Sequence, residues 1–132
     1  MSKRSSSKLD VKRAAEKRAA EKRGRRSETF AALFLMLKGY RIVERRARTP
    51  LGEIDLVVRA PSGVLCFVEV KSRADITAMP HAFGERQRAR IARAAALYVA
   101  RRPSLGAKGV RFDMVTVAPG ALPRHMPDAW RP

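Results

Sequence analysis

Two short apolar runs carry charges where strand interiors normally exclude them. Gly52-Glu53-Ile54-Asp55-Leu56 places an acid inside one run. Phe67-Val68-Glu69-Val70-Lys71 places an acid and a lysine, two residues apart, inside the other. Asp, Glu and Lys are depleted in strands and seldom buried unless something pairs them. Any fold adopted by this chain must therefore bring these residues to partners.

Alternation and punctuation supply the surroundings. Phe30, Ala31, Leu33, Phe34 and Leu37 recur at helical spacing after Ser27, a candidate N-cap, and Gly39 stands as the C′ residue. Tyr40 to Ala47 reads as a strand, Thr49-Pro50-Leu51-Gly52 as a turn, Glu53 to Arg59 as a second strand and Val64 to Lys71 as a third. Residues 72–82 lack periodicity and read as a loop. A long helix follows from Phe83 to Arg102, with Ile91, Ala94, Ala95 and Tyr98 as its buried stripe, then a fourth strand from Val110 to Val117. The expected fold is α/β: helix, three-strand meander, crossover helix and a fourth strand, giving a mixed four-stranded sheet flanked by helices. The domain spans 27–117. Residues 118–132, with three prolines in the last ten residues, read as a loosely packed C-terminal tail.

Hairpin register decides whether the charges meet. A three-residue loop, Pro61-Ser62-Gly63, pairs Ala60 with Val64 and sets Asp55 opposite Glu69 and Glu53 opposite Lys71. Facing Cβ atoms would then be about 5 Å apart. A four-residue loop would send the acids to opposite faces. Two carboxylates so close repel unless a cation lies between them, and oxygen donors select a hard ion such as Mg²⁺ or Mn²⁺. The Val70 carbonyl offers a further oxygen. Lys71 is placed to polarise a water and neutralise a phosphate. The plainer alternative is an ion pair of Lys71 with Glu69 or Glu53. The strands are otherwise apolar on both faces and the chain is basic, which favours the cation site.

The 132 residues contain 29 Lys and Arg against 12 acids, a net +17. Such an excess points to a polyanionic partner, a nucleic acid and most readily DNA, and away from small-metabolite chemistry. No apolar run is long enough to cross a membrane. The single cysteine, Cys66, excludes an intrachain disulfide and fits a cytoplasmic setting. Residues 1–26 alone hold eleven Lys/Arg and three acids, a net +8. Residues 2–8 read as disordered. From Asp10, a plausible N-cap, the repeated Arg-Ala-Ala-Glu-Lys units read as a marginal helix without a face to bury, either a polyanion-binding arm or a solvated tail.

Other residues have two readings each. Glu28 opens the first core helix as a dipole-favoured acid or as a third acid of the metal site. Gln87 is placed to contact a phosphate, to hold Lys71 or to cap a buried polar group. Arg86, Arg90, Arg93 and Arg101 form a basic stripe, for a phosphate backbone or simply for solvent. Asp113 reads as a strand acid with a structural partner. His81 and His125 are isolated and Trp130 reads as a packing residue.

Ser27-Glu28, Gly39-Tyr40, Gly52-Glu53-Ile54-Asp55-Leu56, Phe67-Val68-Glu69-Val70-Lys71-Ser72-Arg73 and Arg111-Phe112-Asp113 together resemble the bacterial YraN-like family of uncharacterised, endonuclease-like proteins, within the PD-(D/E)XK nuclease superfamily. The resemblance spans about residues 24–117. It implies a restriction-endonuclease-like αβββαβ core, as in archaeal Holliday-junction resolvases. It also implies metal ligation by Asp55 and Glu69, catalysis by Lys71 and an accessory acid at Glu28. Gln87 falls where related nucleases place a glutamine or lysine. Ile54 stands where the superfamily has its leading proline. The expected activity is divalent-metal-dependent DNA cleavage, with a non-catalytic nucleic-acid-binding module as the alternative. A single small site of this kind often works as a homodimer on branched DNA, and dimerisation is left open.

Overall fold

The computed structural model describes residues 2–73 and 84–132. Helix α1 (Ser2–Leu37) leads into strands β1 (Arg41–Thr49), β2 (Gly52–Arg59) and β3 (Leu65–Ser72). Helix α2 (Glu85–Arg101), a short 3-10 turn (Pro103–Gly106), β4 (Val110–Val117) and β5 (Arg124–Trp130) are the remaining elements among the described residues. The strands form one sheet in the order β1-β2-β3-β4-β5, parallel only between β3 and β4 and antiparallel elsewhere. The αβββαβ order is as expected, with α2 as the crossover that a parallel pair requires.

The sheet separates two cores. Ala31, Ala32 and Leu35 of α1 cover Leu56, Val58, Cys66, Val68 and Val115. Ile91, Ala94, Ala95 and Tyr98 of α2 cover Val57, Leu65, Phe67 and Phe112 on the other face. Both faces are apolar because both are covered, so the central strands read as continuous hydrophobic runs.

The β2–β3 register is the expected one. Val57 faces Phe67 and Arg59 faces Leu65. The Ala60 amide donates to the Val64 carbonyl at 2.9 Å, and Gly63 takes the left-handed conformation at φ 95°. The first helix closes in a Schellman motif. The Tyr40 amide reaches the Leu35 carbonyl and the Gly39 amide the Met36 carbonyl, each at 3.0 Å, with Gly39 at φ 90°.

Three expectations change. The sheet has five strands, not four, because the C-terminal segment is not a loose tail. Within it β5 pairs along β4, and Trp130 stacks on Phe112 at 4.3 Å between ring centroids. Pro127 is tolerated because β5 is an edge strand, where a missing amide donor costs little. The first helix does not start at Ser27, which lies buried within α1. Residues 2–8, expected to be disordered, belong to the same helix. A packed segment from Ala31 to Leu35 removes the nucleation cost, so the Ala-, Glu-, Lys- and Arg-rich stretch upstream extends it, and residues 2–8 continue the same helix. Most of the expected 72–82 loop, the start of the second helix at Phe83, and His81 lie outside the described residues; Ser72 itself ends β3.

Candidate metal and nucleic-acid site

The site forms where β2 and β3 part. Their described pairing ends at Leu56 and Val68. One step on, the Asp55 carboxylate accepts the Val70 amide at 2.8 Å, standing in for the next ladder bond. Upstream, a tight turn joins Thr49 to Gly52 and makes β2 start there. Gly52 sits at φ 142°, and the Arg90 side chain lies over it, 3.4 Å from where a Cβ would be. The backbone angle is what calls for glycine, since a Cβ would make only an ordinary contact with Arg90.

Glu69 projects toward α2. Its Oε1 accepts the Gln87 Nε2 amide at 2.7 Å and lies 3.0 Å from Lys71 Nζ. Glu69 is only 7% exposed, which makes these partners necessary. Glu53, Asp55, Glu69, Lys71, Gln87 and Arg90 line one cavity of about 270 Å³. Of the three readings of Gln87, the hydrogen bond matches the capping of a buried acid. Arg90 joins the site, whereas Arg86 and Arg93 are exposed on α2 outside the cavity lining.

Asp55 also lines a second cavity, on the α1 side, with Glu21, Gly24, Arg25, Glu28, Arg46, Glu53 and Val70. Glu28 is buried and accepts a hydrogen bond from Arg46 Nε at 2.7 Å. Arg46 was not legible as a site residue. It occupies a left-handed conformation, φ 51°, within β1. Arginine rarely does so outside a constrained position.

Burial pushes the Asp55 carboxyl up to about 6. The Val70 amide and Lys71 oppose this, while Glu28 and Glu69 add to it. An acid strained toward its neutral form beside two other acids is the electrostatic setting that a bound cation would relieve. The donors on hand are all oxygens: Asp55, Glu69 and the Val70 carbonyl. That set fits a hard ion that keeps several waters, such as Mg²⁺. Among the described residues no group of three or more His, Cys, Asp or Glu side chains converges to hold an ion unaided.

A separate cluster lies elsewhere on the α1 face. Asp113 is fully buried and takes two hydrogen bonds from Arg111 at 2.8 Å, one with His125 Nε2 at 2.8 Å and the Asp128 amide at 3.0 Å. His125 is therefore not isolated; Lys38 Nζ lies 2.6 Å from its other ring nitrogen. Burial opposes the Asp113 charge, but these donors together hold it down to about 2. The cluster ties the end of α1 to β4 and β5, the structural role expected of Asp113. Burial pushes the Cys66 thiol up to about 11, so it is a packing residue.

Among the described residues no helix is long and apolar enough to cross a membrane. Comparison with known sequences places this architecture. The model of the uncharacterised protein family UPF0102 matches residues 27–117. A UPF0102 protein of Paramagnetospirillum magneticum is 51% identical over 113 residues, covering 83% of this chain and 87% of its own. One from Caulobacter vibrioides is 50% identical over 107 residues, covering 81% and 85%. One from Rhodopseudomonas palustris is 45% identical over 132 residues, covering 98% and 97%. The chain belongs to the UPF0102, or YraN-like, family.

Proposed function

We propose that this protein is a divalent-metal-dependent DNA endonuclease that hydrolyses phosphodiester bonds. One observation carries the reading. Asp55 and Glu69 come from neighbouring strands to a single cavity with Lys71, Gln87 and Arg90 around them. Asp55, Glu69 and the Val70 carbonyl would hold Mg²⁺ or Mn²⁺. When bound, the ion supplies Lewis-acid charge at the scissile phosphate and lowers the pKa of a bound water.

The chain's own groups divide the remaining work. Gln87 fixes the Glu69 carboxylate through its amide. Lys71 sets a positive charge at the cavity wall, 15% exposed at its side chain, where a phosphate oxygen would lie. Arg90 adds a second cation at the rim. Glu28, held by Arg46, is an accessory acid beside Asp55. Arg86 and Arg93 extend the basic surface along α2 for a phosphate backbone.

One observation favours the alternative, a nucleic-acid-binding module of the same fold without turnover. Glu69 is already satisfied by Lys71 and Gln87, and Glu28 by Arg46, without an added ion. Cleavage of labelled duplex, branched and single-stranded DNA in Mg²⁺, Mn²⁺ or EDTA separates the two. The nuclease cuts only with metal, and Asp55→Ala and Lys71→Ala each lower cutting by about 10²-fold or more. Salt-sensitive binding with no cutting in either metal, unchanged in both variants, establishes the module instead.

A further inference from the structure

Helix α1 joins two parts of the chain that the sequence separates. The described part of the basic arm, residues 2–26, and the core segment covering the sheet form one helix, Ser2–Leu37. The arm is not a detached tail, because Glu21, Gly24 and Arg25 line the same cavity as Asp55, Glu53 and Val70. From the neighbouring turns, Arg23 and Arg26 line an apolar groove with Arg73. The arm therefore enters the site region and continues outward from it.

Its surface suits a polyanion and little else. Every side chain from Ser7 to Arg23 is exposed, including Leu9 and Val11, so none of the described residues covers the arm. Its Lys and Arg recur about every fifth residue, at Lys8, Lys12 with Arg13, Lys17 with Arg18, and Lys22 with Arg23. That spacing winds charge around the helix, where a protein-docking helix would gather an apolar stripe. Along 25 residues the helix is about 37 Å long at 1.5 Å per residue. That length matches about 11 base pairs of duplex at 3.4 Å each.

We infer that α1 is a second nucleic-acid contact, a rigid arm that follows the backbone of duplex DNA for about one helical turn beyond the site. The arginines of α2 lie on the opposite face of the sheet, and Asp55 lines a cavity on each side. Duplex would be held from both sides of the strand fork. The inference rests on the nucleic-acid part of the function proposed above and not on turnover.

The test is full-length protein carrying Lys8, Lys12, Arg13, Lys17 and Arg18 all changed to Gln, which keeps helix propensity. Affinity for labelled 12- and 30-base-pair DNA duplexes is measured across salt concentrations by fluorescence anisotropy, with circular dichroism to verify helix content. Wild type is expected to bind the longer duplex at least tenfold more tightly, and the variant to lose most of that gain. The slope of log affinity against log salt should become shallower by about 2 to 4, at about 0.9 per phosphate contact. Equal slopes and equal length dependence in the two proteins overturn the inference, as does tighter binding of structured RNA than of duplex DNA. Cleavage is scored separately. A wild type that fails to cut but shows the slope difference removes the nuclease and leaves the arm. A wild type that cuts with equal slopes removes the arm alone.

Discussion

The Asp55 carboxylate accepts the Val70 amide at 2.8 Å at the point where β2 and β3 separate. A side chain thus completes the ladder, and in doing so an acid is held beside Glu69 and the Val70 carbonyl. Burial at this point pushes the Asp55 carboxyl up to about 6, even though the Val70 hydrogen bond and Lys71 pull it down.

Asp55 should therefore cost stability in the metal-free protein. The folded chain keeps a proton that the unfolded chain releases between the ordinary carboxylate value of 3.8 and about 6. Stability falls as pH rises across that window, and the penalty is complete above it. Asp55→Asn keeps an acceptor for Val70 and should gain on the order of 2 kcal/mol at pH 7.5 in EDTA, with little gain at pH 4. Thermal unfolding at both pH values checks it; destabilisation at pH 7.5 contradicts the assignment.

Glu69 depends on two neighbours with separable effects. Lys71→Ala removes the cation at the cavity wall and should lower cleavage by about 10² to 10³-fold. Gln87→Ala removes only the group orienting Glu69, and a loss of about 10- to 100-fold with weaker metal affinity is expected. Rates measured over a metal titration distinguish them, since added Mn²⁺ should partly rescue Gln87→Ala but not Lys71→Ala.

Asp113 is expected to affect folding without touching the site. Asp113→Ala strands Arg111 beside a buried gap and should cost about 3–5 kcal/mol in urea unfolding. Its carboxyl is held down to about 2, below the ordinary 3.8. Its stabilising contribution is present above pH 4 and is lost as pH falls from about 4 to 2. Wild type should show that acid transition, which Asp113→Asn should flatten.

The C-terminal strand makes a similar prediction. Trp130→Ala removes a ring stacked on Phe112 and should cost about 3–5 kcal/mol. Urea denaturation, or proteolysis that begins near Arg124, measures it.

The central part of this architecture was legible for local reasons. Gly63 and the short Pro61-Ser62-Gly63 loop fix the β2–β3 register, so the facing of Asp55 and Glu69 follows from turn chemistry. Gly39 ends α1 because only a left-handed residue completes its cap. Long-range relationships were less visible. β5 was hidden by Pro127, which an edge strand tolerates, and by Trp130, whose partner Phe112 lies 18 residues away. Arg46 carries no local signal, since its pairing with Glu28 depends on how α1 crosses β1. His125 looked isolated because Asp113 and Lys38 reach it only through the fold. The continuity of α1 was missed because residues 2–26 alone have no face to bury, and their helix is seeded from the packed end.

Calorimetric titration of Mn²⁺ into wild type, Asp55→Asn and Glu69→Gln tests the site most directly, because it requires no substrate. Wild type should bind one ion at the shared cavity, and each variant should weaken binding at least tenfold. Absence of Mn²⁺ binding by wild type, or equal affinity in all three proteins, would contradict a cation site between Asp55 and Glu69.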